Sequence, residues 1–139
     1  IIGVKDATAN LDRVDEQKRK IGNDFIQLSG EDGTALEFNL RGGRGCISVT
    51  ANIAPKLCSE FQEASLSKNN DNLLARAKEI NNLLMPLHKS LFIESNPSPV
   101  KYAASLLKLC SDEVRLPLVG VTSETKQKIK SALQHANLI

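Results

Sequence analysis

Three short apolar runs in the first fifty residues constrain the fold of this chain more than any other feature. They occupy residues 1–5, 25–29 and 45–50, are rich in Ile, Val and Phe, and are bounded by Gly, Asn or Asp. Helical patterns at residues 10–21 and 34–40 separate them, and glycine follows each pattern. Strands that alternate with helices in this way predict βαβ units in a parallel sheet.

The rest of the chain carries helical patterns only, at residues 55–66, 72–91 and 99–109, with a last helix capped by Thr122 or Ser123. The longest has apolar residues spaced by threes and fours: Leu73, Leu74, Ala77, Ile80, Leu84, Leu87 and Leu91. Pro86 inside it predicts a kink. We therefore expect residues 1–66 to form three βα units and residues 67–139 to form a helical region.

Three parallel strands make a poor sheet alone, because both faces need cover and both edges lack partners. The pattern fits one kind of α/β architecture, the TIM (β/α)8 barrel. This chain would supply its last three strands, followed by an α-helical C-terminal extension. A full barrel takes about 250 residues. The chain opens on Ile1 and Ile2 without a Met, so we expect it to begin in the middle of a fold, with an N-terminal half-barrel supplied separately.

Composition narrows the function classes. Hydrophobic residues make up 41% and charged residues 24%, which is typical of a globular protein. The net charge of +2 gives no reason to expect a nucleic acid or a membrane as partner. A basic cluster at Lys18, Arg19 and Lys20 closes a helical pattern, where cations suit the helix dipole. No apolar run approaches the roughly 20 residues needed to cross a bilayer.

The cysteines are Cys46, Cys58 and Cys110, an odd number without metal-ligand spacing. They predict reduced, buried thiols in a cytoplasmic protein, and no metal site. His88 and His135 fall within helical patterns without a companion at ligand spacing, so we expect structural or surface roles for both.

Lys5 is the most informative candidate for chemistry. It closes the first apolar run, and in a barrel the carboxyl end of a strand is the rim where active sites lie. Desolvation there favours a neutral amine, which can attack a ketone to form a Schiff base. Periodicity alone favours the other interpretation, a lysine at a strand end that points into water.

Two glycine-containing segments were further candidates. Gly42-Gly43-Arg44-Gly45 matches no phosphate-binding pattern and precedes a strand, so we interpret it as a helix end and turn. Gly30 follows the second strand at the same rim as Lys5, where a ligand can approach the backbone closely. Glu31 and Asp32 beside it could form a carboxylate pair, but we expect Asp32 to cap the next helix.

Several motifs in collinear order resemble the dihydrodipicolinate synthases. The segment Ile2-Gly3-Val4-Lys5-Asp6-Ala7-Thr8 is similar to that family's Schiff-base lysine motif. The resemblance continues through Leu28-Ser29-Gly30-Glu31-Asp32, residues 42–52, Leu84-Met85-Pro86-Leu87-His88, residues 96–101 and Arg115-Leu116-Pro117-Leu118. N-acetylneuraminate lyases and ketodeoxygluconate aldolases share the lysine, but the acidic-Ala-Thr run after it resembles the synthase more.

The resemblance implies that Lys5 condenses with pyruvate, and that the resulting enamine attacks aspartate semialdehyde to give 4-hydroxy-tetrahydrodipicolinate for lysine and diaminopimelate synthesis. It implies Gly30 and Ile47 as substrate-binding residues, no cofactor, and a homotetramer built from dimers. The family's tyrosine proton relay, its neighbouring threonine and a carboxylate-binding arginine come from earlier strands, for which Tyr102 and Arg44 do not substitute. We therefore expect this chain alone to be inactive. Two alternatives stay open. The chain could belong to a related sugar-acid aldolase, or it could be a non-catalytic half-barrel that acts through association.

Overall fold

The computed structural model describes residues 1–67 and 69–139. Its backbone contacts divide the chain into two compact units. The first unit comprises Ile1–Ser48 with Cys58–Asn81, and the second comprises Val49–Leu57 with Asn82–Ile139. The predicted division at residue 66 concerns the parts of a barrel and stays a prediction.

The first unit opens with a βαβ unit. Strand β1 (Gly3–Asp6), helix α1 (Asp12–Ile21) and strand β2 (Ile26–Ser29) follow one another, and the two strands pair in parallel from Gly3 with Ile26 to Asp6 with Ser29. The helix has acidic residues in its first turn and basic residues in its last, which suits its dipole. It ends at Gly22, whose φ of 110° few side chains adopt.

A short helix then leads to the end of a third segment. A 3₁₀ turn (Asp32–Thr34) precedes helix α2 (Ala35–Arg41), which buries Leu36 and Phe38. The chain leaves α2 at Gly42, with φ of 129°. This confirms that residues 42–45 form a helix end and turn.

The predicted third strand at residues 45–50 is corrected to a single parallel bridge. Only Cys46 pairs with Ser29, through hydrogen bonds from Ser29 N to Gly45 O at 2.9 Å and from Ile47 N to Ser29 O at 2.8 Å. The backbone then coils into a 3₁₀ turn at Thr50–Asn52. Strand pairing depends on residues distant in the sequence, so an apolar run alone does not determine how far the ladder extends.

The long helices begin and end close to their predicted bounds. Helix α3 spans Pro55–Leu66, with proline in its first turn, and helix α4 spans Asp71–Ser90. Helix α4 continues past Pro86, and the kink expected there stays a prediction. Five residues of the predicted apolar set are at most 1% exposed: Ala77, Ile80, Leu84, Leu87 and, directly after the helix, Leu91. Its first two members are not buried, because Leu73 is 37% exposed and Leu74 is half-buried.

The second unit also contains helices α5 (Ser98–Leu106) and α6 (Ser123–His135). Thr122 caps α6, because its hydroxyl accepts from Thr125 N, and it also donates to Glu94 at 2.8 Å. Ile129 and Leu133 of α6 are fully buried. Among the described residues, no helix has the length and apolarity to cross a membrane.

Candidate functional site

The carboxyl ends of β1 and β2 bring the predicted site residues to one edge of the sheet. Lys5 pairs in register with Leu28, so it stands one residue before the end of β1. Gly30 is the first residue after β2, and Ile47 directly follows the bridge at Cys46. The predicted rim is therefore present in the first unit, with Lys5, Gly30 and Ile47 all on it.

Lys5 and Gly30 are in close contact. A Cβ atom placed on Gly30 would lie 3.1 Å from Lys5 Cδ, 3.2 Å from Lys5 Cε and 2.8 Å from Ala7 Cβ. The aliphatic part of the exposed lysine chain therefore crosses the glycine backbone. Any side chain at residue 30 would displace the lysine or the loop after it, so only glycine allows this arrangement.

Asp6, the residue after Lys5, anchors the rim. Its carboxylate is 8% exposed and accepts from Thr8 N at 2.8 Å, Thr8 Oγ1 at 2.6 Å and Arg13 Nε at 2.6 Å. Burial alone would raise the pKa of Asp6, but the hydrogen bonds from Thr8 and Arg13 outweigh it and lower the pKa below its usual value. The carboxylate is therefore a fixed negative charge at neutral pH.

The backbone N–H groups of both predicted substrate-binding residues are already bonded. Gly30 N donates to Asp6 O at 2.8 Å, and Ile47 N donates to Ser29 O at 2.8 Å. Any backbone group that these residues offer to a substrate is therefore the carbonyl. The Ile47 side chain is 54% exposed, as expected of a residue that lines an open surface.

The two acidic residues after β2 have roles opposite to those expected. Glu31 caps the 3₁₀ turn, because its extended backbone lets the carboxylate accept from Gly33 N at 3.1 Å. Asp32 is 5% exposed, and its Oδ1 lies 3.8 Å from Cys46 Sγ. The prediction that Asp32 is the cap is wrong, because its side chain turns inward to a partner far away in sequence.

Two of the three free cysteines are shielded. Burial, with the Asp32 carboxylate adding to it, raises the pKa of the Cys46 thiol to about 12 and that of Cys58 to about 11. Both thiols therefore stay protonated and unreactive at neutral pH. Cys110 is exposed, which corrects the expectation that all three are buried.

The other candidates lie elsewhere. His88 is 5% exposed, and its Nδ1 lies 2.7 Å from Thr50 Oγ1 within the second unit, a structural contact. Tyr102 on α5 lies under the Lys126 amine, which is 5.3 Å from the ring centre. The described residues contain no cluster of three groups able to hold a metal ion.

Arg13 and Ala7 also contact this edge of the sheet, although neither was predicted to be a site residue. Arg13 is the second residue of α1, and a cation in the first turn of a helix opposes the helix dipole. That unfavourable position was the available signal that Arg13 has a partner elsewhere, which is Asp6. Ala7 offered no such signal, because its contact with Gly30 depends on how the two strand ends meet.

The model of the dihydrodipicolinate synthetase family matches residues 1–136. This chain belongs to that family. Its relatives include the 4-hydroxy-tetrahydrodipicolinate synthases of Pelagibacter ubique, 65% identical, and Parvibaculum lavamentivorans, 57% identical. Both alignments cover 100% of this chain but only 47% and 46% of the relative. The chain thus spans about half the length of the curated relatives it matches.

Solved structures of the family have the same backbone. The chloride-inhibited dihydrodipicolinate synthase of Acinetobacter baumannii, complexed with pyruvate, superimposes with a TM-score of 0.92 at 39% identity. The alignment covers 46% of the Acinetobacter chain and 100% of this chain. A monomeric dihydrodipicolinate synthase variant superimposes with a TM-score of 0.89 at 34% identity, over 46% of its chain and 100% of this one.

Proposed function

We propose that this chain is the C-terminal half of a 4-hydroxy-tetrahydrodipicolinate synthase, in which Lys5 forms a Schiff base with pyruvate. The observation that carries the proposal is the contact of Lys5 with Gly30 at the carboxyl ends of two parallel strands. A glycine there lets the aliphatic part of Lys5 lie directly against the backbone, which fixes the path of the chain that carries the amine. The 65% identity with the Pelagibacter synthase over the whole chain supports the same activity.

The chemistry starts with attack of the neutral Lys5 amine on the pyruvate ketone. Loss of water gives a protonated imine, which acts as an electron sink. A proton then leaves the pyruvate methyl group to give an enamine, and the enamine carbon attacks the aldehyde of aspartate semialdehyde. The amine of that substrate then closes the ring by attack on the imine carbon, which releases 4-hydroxy-tetrahydrodipicolinate and regenerates Lys5. The lysine supplies the covalent catalysis, so no cofactor enters the scheme.

Gly30 and Ile47 bind the substrate in this proposal. Their N–H groups pair with Asp6 O and Ser29 O, so each residue turns a carbonyl oxygen to the pyruvate moiety. Two carbonyl oxygens at neighbouring strand ends would accept hydrogen bonds from the donor groups of the bound substrate. These contacts would orient the imine for attack.

The remaining catalytic groups come from outside this chain. We propose that residues 1–66 supply the last three strand positions of a (β/α)8 barrel, that residues 67–139 form its helical extension, and that an N-terminal half-barrel completes the site. The full-length protein is then a cytoplasmic homotetramer, although the monomeric structural relative shows that one family member has another state. These 139 residues alone should lack synthase activity, since the tyrosine, threonine and arginine that the resemblance implies come from earlier strands and Tyr102 lies under Lys126.

Steady-state assays of the full-length protein test the proposal. We expect turnover of pyruvate with aspartate semialdehyde, a loss of about a thousandfold or more in Lys5→Arg, and no loss in Lys78→Arg, which changes an exposed lysine of α4. Cleavage of N-acetylneuraminate or a ketodeoxysugar acid in place of the synthase reaction would contradict the proposed substrate. Turnover by the isolated, mass-verified chain would contradict the need for a second half.

A further inference from the structure

We propose that Asp6 and Arg13 are positioning residues for Lys5, because their ion pair fixes the strand end that carries the reactive amine. This inference rests on the proposed function, in which Lys5 is the Schiff-base lysine. It assigns a role in the reaction to two side chains that touch neither the amine nor a substrate.

The Asp6 carboxylate of this ion pair is held by short contacts to several donors. Arg13 Nε lies 2.6 Å from Asp6 Oδ2, while Thr8 holds Oδ1 with both its N–H and its hydroxyl. The Asp6 side chain is only 8% exposed. A buried carboxylate with three donors is held in one orientation, and loss of its charged partner is costly.

The backbone of Asp6 connects this contact to the site. Asp6 pairs in register with Ser29, and its carbonyl accepts from Gly30 N at 2.8 Å. The peptide that joins Lys5 to Asp6 is therefore fixed by the sheet on one side and by the carboxylate contacts on the other. A shift of Asp6 would move Lys5 and Gly30 together and so change the contact that opens the site.

The loop between β1 and α1 contains a second sign that it is held in place. Ala9 has a φ of 58°, a left-handed conformation that costs free energy for any residue with a side chain. Thr8 hydroxyl accepts from Asn10 N at 3.3 Å and donates to Asp6 at 2.6 Å, so the strained loop is tied to the Asp6 carboxylate. Without the ion pair the loop can relax, and the end of β1 would relax with it.

A conservative substitution separates a positioning role from a purely structural one. Arg13→Lys keeps a cation that can reach the Asp6 carboxylate, so it should restore part of the rate of imine formation that Arg13→Met loses.

The chain contains a matched control for the argument. Arg76 Nε lies 2.7 Å from Glu60 Oε1, and both Arg13 and Arg76 have side chains that are 47% exposed. The difference lies in the partner, because the Glu60 side chain is 39% exposed, against 8% for Asp6. Exposed ion pairs contribute little to stability, so Arg76→Met should leave imine formation unchanged.

The test measures the rate of imine formation with pyruvate against pH in the full-length protein, by borohydride trapping and mass spectrometry. The variants are Arg13→Met, Asp6→Asn, their double variant, the conservative Arg13→Lys and the control Arg76→Met. Circular dichroism of each variant verifies folding. The other titratable groups at these strand ends are Glu31, Asp32 and the Cys46 thiol, and every variant retains them.

We expect each single substitution to slow imine formation by about a hundredfold. The loss should persist at every pH measured, because deprotonation does not restore a misplaced amine. The double variant should be no slower than the slower single variant, because either substitution already breaks the pair, and Arg13→Lys should restore part of the rate.

Rates of imine formation that stay unchanged in both single variants, or a loss in Arg13→Met that Arg13→Lys does not reduce, would overturn the inference and leave a structural ion pair. An unaltered protein that forms no adduct at Lys5 would instead overturn the proposed function, and this inference with it. The two failures are distinguishable, because the first requires normal trapping in the unaltered protein.

Discussion

The first compact unit buries polar side chains at its strand ends as well as among its helices, where Asn39 binds Ser65, whereas the second unit offers only the helical setting. In the first, Asp6, Ser29 and Asp32 lie where the parallel strands end, and their partners include backbone groups next to Lys5. In the second, His88 and Thr50 lie among helices and bind each other. Buried polarity at a strand end therefore arranges the backbone around the amine, whereas buried polarity among helices serves packing.

The cysteines give the largest expected contrast between the two units. Cys46 and Cys58 belong to the first unit, where burial raises the pKa of Cys46 to about 12 and that of Cys58 to about 11, while Cys110 of the second unit is exposed. A raised thiol pKa means less thiolate at a given pH. At pH 8 the fraction of Cys46 thiolate should be about a thousandfold lower than for an ordinary cysteine.

Timed alkylation of the native protein at about pH 8, followed by peptide mapping, checks this prediction. Cys110 should be labelled first and the other two much later, whereas all three should react alike after denaturation. Labelling of native Cys46 at the rate of Cys110 would break the contrast.

Gly30→Ala is expected to have the next largest effect. The new Cβ would lie 2.8 Å from Ala7 Cβ and 3.1 Å from Lys5 Cδ, so the lysine chain or the loop must shift. A displacement of that kind should slow imine formation by about a hundredfold. The matched control is Gly120→Ala in the second unit, where nothing lies within 4 Å of the added Cβ.

Both glycine variants are assayed by borohydride trapping with pyruvate in the full-length protein. Equal rates in the two variants would mean that the approach of Lys5 to Gly30 has no part in the chemistry. A loss confined to Gly30→Ala would sharpen the assignment of the first unit as the reactive one.

The smallest expected effect concerns a helix cap in the second unit. Thr122→Ala removes the acceptor for Thr125 N and the hydroxyl that donates to Glu94 at 2.8 Å. Hydrogen bonds from Thr125 and Thr122 lower the pKa of Glu94, so the contact with Thr122 stabilises the ionised form of this carboxylate. We expect the free energy of unfolding to fall by about 1 kcal/mol, with imine formation unchanged.

Urea denaturation of Thr122→Ala and of the conservative Thr122→Ser measures this effect. The serine variant keeps the hydroxyl and should retain most of the stability. A slower imine formation in Thr122→Ala would show that the second unit influences the chemistry more than its packing role implies.

Local signals in the sequence predicted most helix bounds, but α5 ends at Leu106 although a helix to Leu109 was predicted. Periodicity, proline and glycine predicted α3 at its observed bounds of Pro55–Leu66 and placed α4 within one residue at each end, because these features act over a few residues. The third strand was predicted wrongly, since strand pairing depends on partners distant in sequence. Only the bridge of Cys46 with Ser29 formed.

The site shows the same division between local and distant information. Resemblance to a family, and not periodicity, selected Lys5, because periodicity alone favours a lysine that points into water. The ion pair of Asp6 with Arg13 and the turn of Asp32 toward Cys46 depend on how β1, β2 and α1 meet. These contacts could be found only once the fold was known.

Peptide mapping of the full-length protein, after incubation with pyruvate and borohydride, tests the central claim most directly. The proposal predicts one reduced pyruvate adduct per chain, located on Lys5 and absent from Lys5→Arg. An adduct on another lysine, or no adduct in an active preparation, would contradict the assignment of Lys5 as the Schiff-base residue.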